Sequence, residues 1–379
     1  MATKKKTTNK PAEFSLSRTG VGAFIWSGSR WRKTKSVIIV SIIALTGLNY
    51  AVAQWYIHKH SKEPLTLGTT FVSDYAVSFG LDPKATLEAA FTDLGMRQVR
   101  LVSYWKNIEP TPGTYDFSGL DWQFDMAEKY DAKVSLALGM RQPRWPECHE
   151  PKWLDVAGPE NTWKPQLYKY MDAVVTRYKD RPNLVSYQLE NEFFMTVFGE
   201  CKNFDRSRLV EEFNMVKKLD PHHPIIISRS NNWIGLPLGS PRPDRFGISV
   251  YKRVWDATFT HRYYEYPLPS WFYSMLGGWA ELITGKDMVI HELQAESWTP
   301  NGLDINDLSI EEQYKSMNPE RMKDRIEYGE ATGMRDIYIW GMEWWYWLKT
   351  TKDRPELWNV VKEEVTRADI HNQQLQNKK

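Results

Sequence analysis

Short apolar runs alternate with longer amphipathic stretches from Leu65 onward. The short runs, rich in β-branched residues, predict strands over 66–71, 98–102, 133–138, 184–189, 224–227, 246–250, 287–291 and 336–340. Helices are predicted between them. The stretch 83–94 has Asp82 ahead of it as a cap, and 119–130 follows the second strand. The stretch 162–178 carries an apolar face through Leu167, Met171, Val174 and Val175, and 207–219 presents Leu209, Phe213 and Val216. Stretches 270–284, 310–332 and 355–370 complete the set, while Gly95, Gly333 and the Asp220-Pro221 pair act as stop signals. Eight strands alternating with helices predict an α/β fold, a single (β/α)8 TIM barrel over 65–370. An open doubly wound sheet is the alternative, but no Gly-x-Gly-x-x-Gly turn follows the first strand.

Ahead of the barrel the pattern changes. Residues 36–57 carry no charge, and about 20 apolar residues span about 30 Å as a helix, enough for a bilayer core. This predicts one N-terminal transmembrane helix, preceded by a basic cytoplasmic tail (1–35) and followed by a polar linker (58–64); residues 371–379 read as a solvated tail. Arg30, Arg32, Lys33 and Lys35 lie just before the span, which keeps the tail cytoplasmic and the barrel extracytoplasmic. Trp55 and Tyr56 suit the far interface. The rival reading is a signal peptide cleaved near Ala53, because Ala51-Val52-Ala53 has the small-x-small form, and it makes the domain secreted.

Composition adds two constraints. Hydrophobic residues at 42% and charged residues at 25% are globular values. The net charge of +2 conceals an asymmetry: residues 1–35 hold nine basic residues and one acid, Glu13, so the remainder carries −6. A mildly acidic folded part argues against nucleic acid as a partner, and the basic tail fits a lipid headgroup contact or a topology signal. The two cysteines, Cys148 and Cys201, lie past predicted strand ends and are expected to pair as a disulfide in an exported domain.

In such barrels the active site forms at the C-terminal ends of the strands. That rule selects Asn191 and Glu192 after the fourth strand and Glu292 at the seventh, with Arg100, Tyr251 and Trp340 from the second, sixth and eighth. Two carboxylates on facing strand ends suit glycosidic cleavage, in which one donates a proton and the other stays ionised to attack the anomeric carbon. Glu192 is assigned as acid/base and Glu292 as nucleophile. Arg100 and Tyr251 are assigned to hold Glu292 ionised and oriented. Asn191 is assigned to the sugar hydroxyl next to the reacting carbon, and Trp340 to the sugar face. Glu190 and Glu296 compete as catalytic candidates or as supporting hydrogen-bonding groups. Eighteen tryptophans suit carbohydrate stacking, although many must be core residues.

The segment Arg100-Leu-Val-Ser-Tyr-Trp105, followed by Glu109-Pro110-Thr-Pro-Gly113-Thr-Tyr115-Asp116-Phe117-Ser-Gly-Leu120-Asp121, resembles the corresponding block of clan A glycoside hydrolases, notably the β-galactosidase families. Gln188-Leu-Glu190-Asn191-Glu192 is similar to their fourth-strand Asn-Glu, where the Glu is the acid/base. His291-Glu292-Leu293 resembles the Thr-Glu-Leu around the nucleophile of related xylanases, with His291 in place of the commoner Thr. The resemblance implies a TIM barrel and retaining hydrolysis of β-linked sugars or their α-L equivalents. Trp105, within the matched block, and Trp145 join Trp340 as candidate substrate contacts. The loops 145–149 and 261–266 are otherwise without an assigned role.

The expected function is thus a membrane-anchored, extracytoplasmic retaining glycosidase acting on an oligosaccharide, polysaccharide or glycoconjugate. The alternatives are a catalytically inactive carbohydrate-binding surface protein and a transglycosylase on the same barrel. No cofactor or metal is expected: His291-Glu292 is no zinc helix, since position 295 is Ala where a second His is needed.

Overall fold

The computed structural model describes residues 30–230 and 239–377. Strands β1 (Thr66–Phe71), β2 (Gln98–Val102), β3 (Lys133–Leu138), β4 (Leu184–Leu189), β5 (Ile225–Ser230) and β6 (Arg245–Val250) are joined by β9 (Met288–Gln294) and β10 (Asp336–Trp340). These eight close into a barrel in the order β1-β10-β9-β6-β5-β4-β3-β2, with every neighbouring pair parallel. The TIM barrel expected from the alternating pattern is therefore present. Near-continuous burial along the strands reflects closure: one face meets the helices and the other fills the barrel interior.

Local signals work as read. Asp82 accepts from the Lys84 N–H and caps Pro83–Thr92, with Pro83 at the first helical position. Gly95 and Gly333 take the left-handed φ values of 78° and 81° that end helices. Two expectations shift. The predicted helix 310–332 is two helices, Ile310–Ser316 and Pro319–Glu330, because Asn318 caps the second one at Arg321 N and Pro319 starts it. The final helix, predicted to end at residue 370, runs Glu356–Gln376, and Asn372 exchanges two hydrogen bonds with the Leu65 backbone. Several elements went unread: the hairpin β7 (Arg253–Asp256) and β8 (Arg262–Glu265), the short helices Ser73–Ser78 and Trp105–Ile108, the single 3-10 turns Pro300–Gly302 and Ile305–Asp307, and the tryptophan-rich helix Met342–Thr351.

The apolar segment lies in a 31-residue helix, Arg30–His60. Its stretch Thr34–His60 contains an 18-residue window of mean hydropathy 2.0 and is long and apolar enough to cross a membrane, as an anchor or a signal sequence would be. Compact packing divides the chain after Ala51. In the first unit the helix leaves Val37, Ile38, Ile39, Ile42 and Ile43 exposed. The second unit begins with the last turns of the helix, where Ala53 and Tyr56 are fully buried. Tyr56 packs where Gly277 and Gly278 leave room: a Cβ on Gly277 would lie 2.9 Å from the Tyr56 ring. His60 and Lys59 both bond Glu281 on the same helix as those glycines.

Candidate active site

Arg100 is the centre of the barrel mouth. Fully buried on β2, it donates Nε to Thr70 Oγ1 (2.9 Å), Nη1 to Gln188 Oε1 (2.9 Å) and Nη2 to Glu292 Oε1 (2.7 Å). The other Glu292 oxygen accepts from the Tyr251 hydroxyl at 2.7 Å. Three strand ends, β2, β6 and β9, thus converge on one carboxylate and fix both of its oxygens. Behind it His291 is sealed inside the barrel, and burial holds its ring well below the usual imidazole range, hence neutral. Gly247 makes that possible, since a Cβ there would come within 2.7 Å of His291 Nδ1.

Glu192 faces a different environment. Burial pushes its carboxyl up to about 8, with the charges of Glu292 and then Glu147 adding to the effect. That mutual effect places the two strand-end acids within electrostatic reach of one another. The Glu192 N–H donates to Ser228 Oγ at 3.1 Å, while its Oε1 has no hydrogen-bond partner among the described residues. Glu192 and Glu292 are both buried, with 6% and 4% of their surface left exposed.

Asn191 is held at both ends of its amide. Gln188 Nε2 donates to Asn191 Oδ1 (2.8 Å), and Asn191 Nδ2 donates to Glu147 Oε2 (2.9 Å). Glu147 is a third acid at this site, and sequence reasoning gave it no role. Burial raises it to about 7 against the pull of Arg141, whose Nε lies 3.5 Å from Oε2. The available signal was its position in the cysteine-bearing loop directly after β3. Backbone strain marks the same place: Arg144, Glu147, Glu190 and Glu192 all adopt positive φ, at 83°, 75°, 51° and 44°. Non-glycine residues hold such conformations only where the surroundings impose them, and they gather at functional sites.

The competing acids have other duties. Glu190 accepts from the Met140 and Arg141 N–H groups (2.8 and 2.9 Å) and from Arg208 (2.8 Å), stapling the end of β4 to the loop after β3. Gly139, at φ 111°, gives that carboxylate space, since a Cβ would sit 2.5 Å from Glu190 Oε1. Glu296 takes two bonds from Arg144 and one from the Tyr75 hydroxyl.

The aromatic candidates divide. Trp105 is fully buried, donates to Glu109 Oε2 at 2.7 Å and stacks on Tyr170, so it is a core residue and not a sugar contact. Trp340 borders the site, but the Arg144 guanidinium lies 4.4 Å from its ring centroid and only a small part of the side chain is exposed. Trp145 stands at the rim, 58% exposed, and its loop is tied by the Cys148–Cys201 disulfide. The site therefore unites Arg100, Asn191, Glu192, Tyr251, Glu292 and Trp340, adds Glu147, and leaves Trp105 out. Among the described residues no group of three or more His, Cys, Asp or Glu side chains has the arrangement of a metal site.

A glycoside hydrolase family 42 profile, described as beta-galactosidase, matches residues 87–222. That segment carries Arg100, Glu147, Asn191 and Glu192. Two haloarchaeal β-galactosidases are similar over part of the chain. That of Haloferax lucentense is 26% identical over 125 residues, 27% of this chain and 18% of its own length. That of Halorubrum lacusprofundi is 22% identical over 161 residues, 35% of this chain and 22% of its own length. The match thus spans well under half of either relative. Among solved structures, the Halorubrum lacusprofundi β-galactosidase superposes with TM-score 0.54 at 14% identity, covering 80% of this chain and 58% of that one. An exo-β-1,4-mannosidase from an Opitutaceae bacterium gives TM-score 0.54 at 13% identity, covering 82% and 60%. In fold the chain is a (β/α)8 barrel similar to those of these solved structures, and over residues 87–222 its sequence is similar to the β-galactosidase family.

Proposed function

We propose that this protein is a retaining glycosidase of β-linked sugars, with Glu292 as nucleophile and Glu192 as acid/base. The observation that carries the proposal is the contrast between the two acids. Glu292 is clamped by Arg100 and Tyr251, while Glu192 is raised to about 8 and its Oε1 has no hydrogen-bond partner among the described residues. In the first step Glu292 forms a bond to the anomeric carbon as the glycosidic C–O bond breaks, and Glu192 gives its proton to the departing oxygen. Glu192, now a carboxylate, takes a proton from water as that water attacks the same carbon and releases Glu292. The ionisation of Glu192 alternates through the cycle, so a value near neutrality suits both steps. β-Galactosides are the first substrates to test, because the matching relatives carry that activity in their names.

The test uses two leaving groups. Glu292→Gln should lose turnover by orders of magnitude on any β-galactoside. Glu192→Gln should lose it on the methyl glycoside but keep much of the first step on the dinitrophenyl glycoside, whose leaving group needs no proton. Unchanged rates in both variants would refute the assignment. The stereochemistry of the first product, followed by NMR, separates retention from inversion, and added acceptor sugar separates hydrolysis from transfer.

The proposal extends to location: an N-terminal anchor in the cytoplasmic membrane and an extracytoplasmic barrel. The basic residues before the apolar helix and the Cys148–Cys201 disulfide support it. Burial of Ala53 and Tyr56 within the barrel unit favours retention of the helix over cleavage near Ala53. Protease added to intact cells should digest the barrel; protection would overturn this orientation.

A further inference from the structure

A row of four aromatic rings leads from the nucleophile to solvent. Tyr251, whose hydroxyl donates to Glu292, meets Trp298 with 5.8 Å between ring centroids. Trp298 meets Phe198 at 6.4 Å, and Phe198 meets Trp145 at 5.7 Å. Burial lessens along the row: Trp298 and Phe198 are half-buried and Trp145 is mostly exposed. The rings come from the end of β6 and from the loops after β9, β4 and β3, so no single element packs them together as a by-product of its own face. An indole as open as Trp145 gains little by burial, so core packing does not account for its place.

The loops that carry the outer two rings are tied together. The Cys148–Cys201 disulfide joins them covalently. Arg141 donates to the carbonyls of Met195 (2.9 Å) and Phe198 (3.1 Å), and the Glu200 N–H donates to the Pro146 carbonyl (3.0 Å). Such fixing holds a binding surface in place before its ligand arrives and lowers the ordering cost on association. The indole N–H groups of Trp145 and Trp298 donate to no partner among the described residues. A flat apolar ring with a spare donor at its edge matches a sugar unit, which has an apolar C–H face rimmed by hydroxyls; an acyl chain has no use for the donor.

We infer that Trp298, Phe198 and Trp145 form a binding track for further sugar units of an extended glycan, so that the natural substrate is an oligosaccharide or polysaccharide chain and not a single-sugar glycoside. This rests on the glycosidase reading above. The reaction occurs at Glu192 and Glu292, and the track holds the part of the chain that does not react.

The experiment compares a β-1,4-linked galactotetraose with 4-nitrophenyl β-galactoside, which is too short to reach Trp145. Trp145→Ala and Phe198→Ala should each lower kcat/KM on the tetrasaccharide by about tenfold, mostly through KM, with a much smaller change on the aryl glycoside. Equal losses on both substrates would mean a structural role and overturn the inference, as would no loss on either. Octyl β-galactoside provides a third arm: a loss confined to it would assign the track to an aliphatic chain and overturn the sugar assignment. If wild type cleaves none of these, the glycosidase reading fails separately. The track is then judged by tryptophan fluorescence titration with galactotetraose, in which quenching lost in Trp145→Ala supports it and absence of quenching in wild type refutes it.

Discussion

The Asn191 side chain donates to Glu147 across 2.9 Å, which brings a third acid beside the two on the facing strand ends. The loop after β3 thereby becomes part of the site, and Glu147 acts on the acid/base electrostatically as well as through Asn191. Its negative charge is one of the causes that raise Glu192, after burial and Glu292.

The first prediction follows from that charge. Glu192 must be protonated to act as acid, so kcat/KM should fall as pH rises through about 8. Glu147→Gln removes a neighbouring negative charge, which makes Glu192 easier to ionise and should move the alkaline limb down by roughly half a unit to one unit. A pH–rate profile of the variant, with its melting temperature as a control on folding, checks this; an unmoved or raised limb contradicts it.

Stability should respond to pH in a defined sense at Glu192. Its folded value, about 8, lies above the ordinary 4.5, so its contribution is fully present below about 4.5 and lost as pH rises through about 8. Glu192→Gln has no such loss. Its stability should match wild type near pH 4 and exceed it near pH 9, with an upper limit of roughly 5 kcal/mol. Thermal denaturation of both proteins across that range would show the gap opening with pH.

Arg208 is buried between two acids, with Nη1 2.8 Å from Glu190 and 2.5 Å from Glu212. Arg208→Met leaves both without their cation and should cost roughly 3–5 kcal/mol. Activity should fall too, because Glu190 also holds the Met140 and Arg141 backbone that flanks the site. Urea denaturation reads the first effect and kcat the second.

The disulfide closes a loop across a sequence separation of 53. Chain-entropy arguments give such a link about 4 kcal/mol of stabilisation. Replacing both cysteines by Ser should lower the urea midpoint accordingly, and reduction of the wild-type protein should reproduce the change. A midpoint unaffected by either treatment would refute it.

Five of the eight barrel strands have the limits expected from their apolar runs, and the other three differ by a few residues. The reason is local: a strand buried on both faces must be apolar along its length, and the caps and glycines that end the helices act over a few bonds. Pro319 was equally local, yet the surrounding apolar periodicity masked the break that Asn318 and Pro319 impose. The hairpin β7–β8 had no such signature, since its four-residue strands are only half-buried or exposed.

The candidate site divides in the same way. Arg100, Asn191, Glu192, Tyr251, Glu292 and Trp340 are legible by position, because the barrel rule turns a strand end into a place at the mouth. Trp105 has equal standing in the sequence and lies in the core, since a side chain's direction past a strand end depends on loop conformation. Glu147, the pairing of Arg144 with Glu296 and the row from Tyr251 to Trp145 depend on loops that meet only when the barrel closes. The amino-acid order by itself determined the repeated units, the apolar helix and the two strand-end acids, because each rests on periodicity or on neighbours in the chain. The distances at which Arg100 and Tyr251 hold Glu292, the burial that raises Glu192, and the place of Glu147 beside them were decided only by closure, because electrostatic environment and contact depend on distance in space and not on separation along the chain.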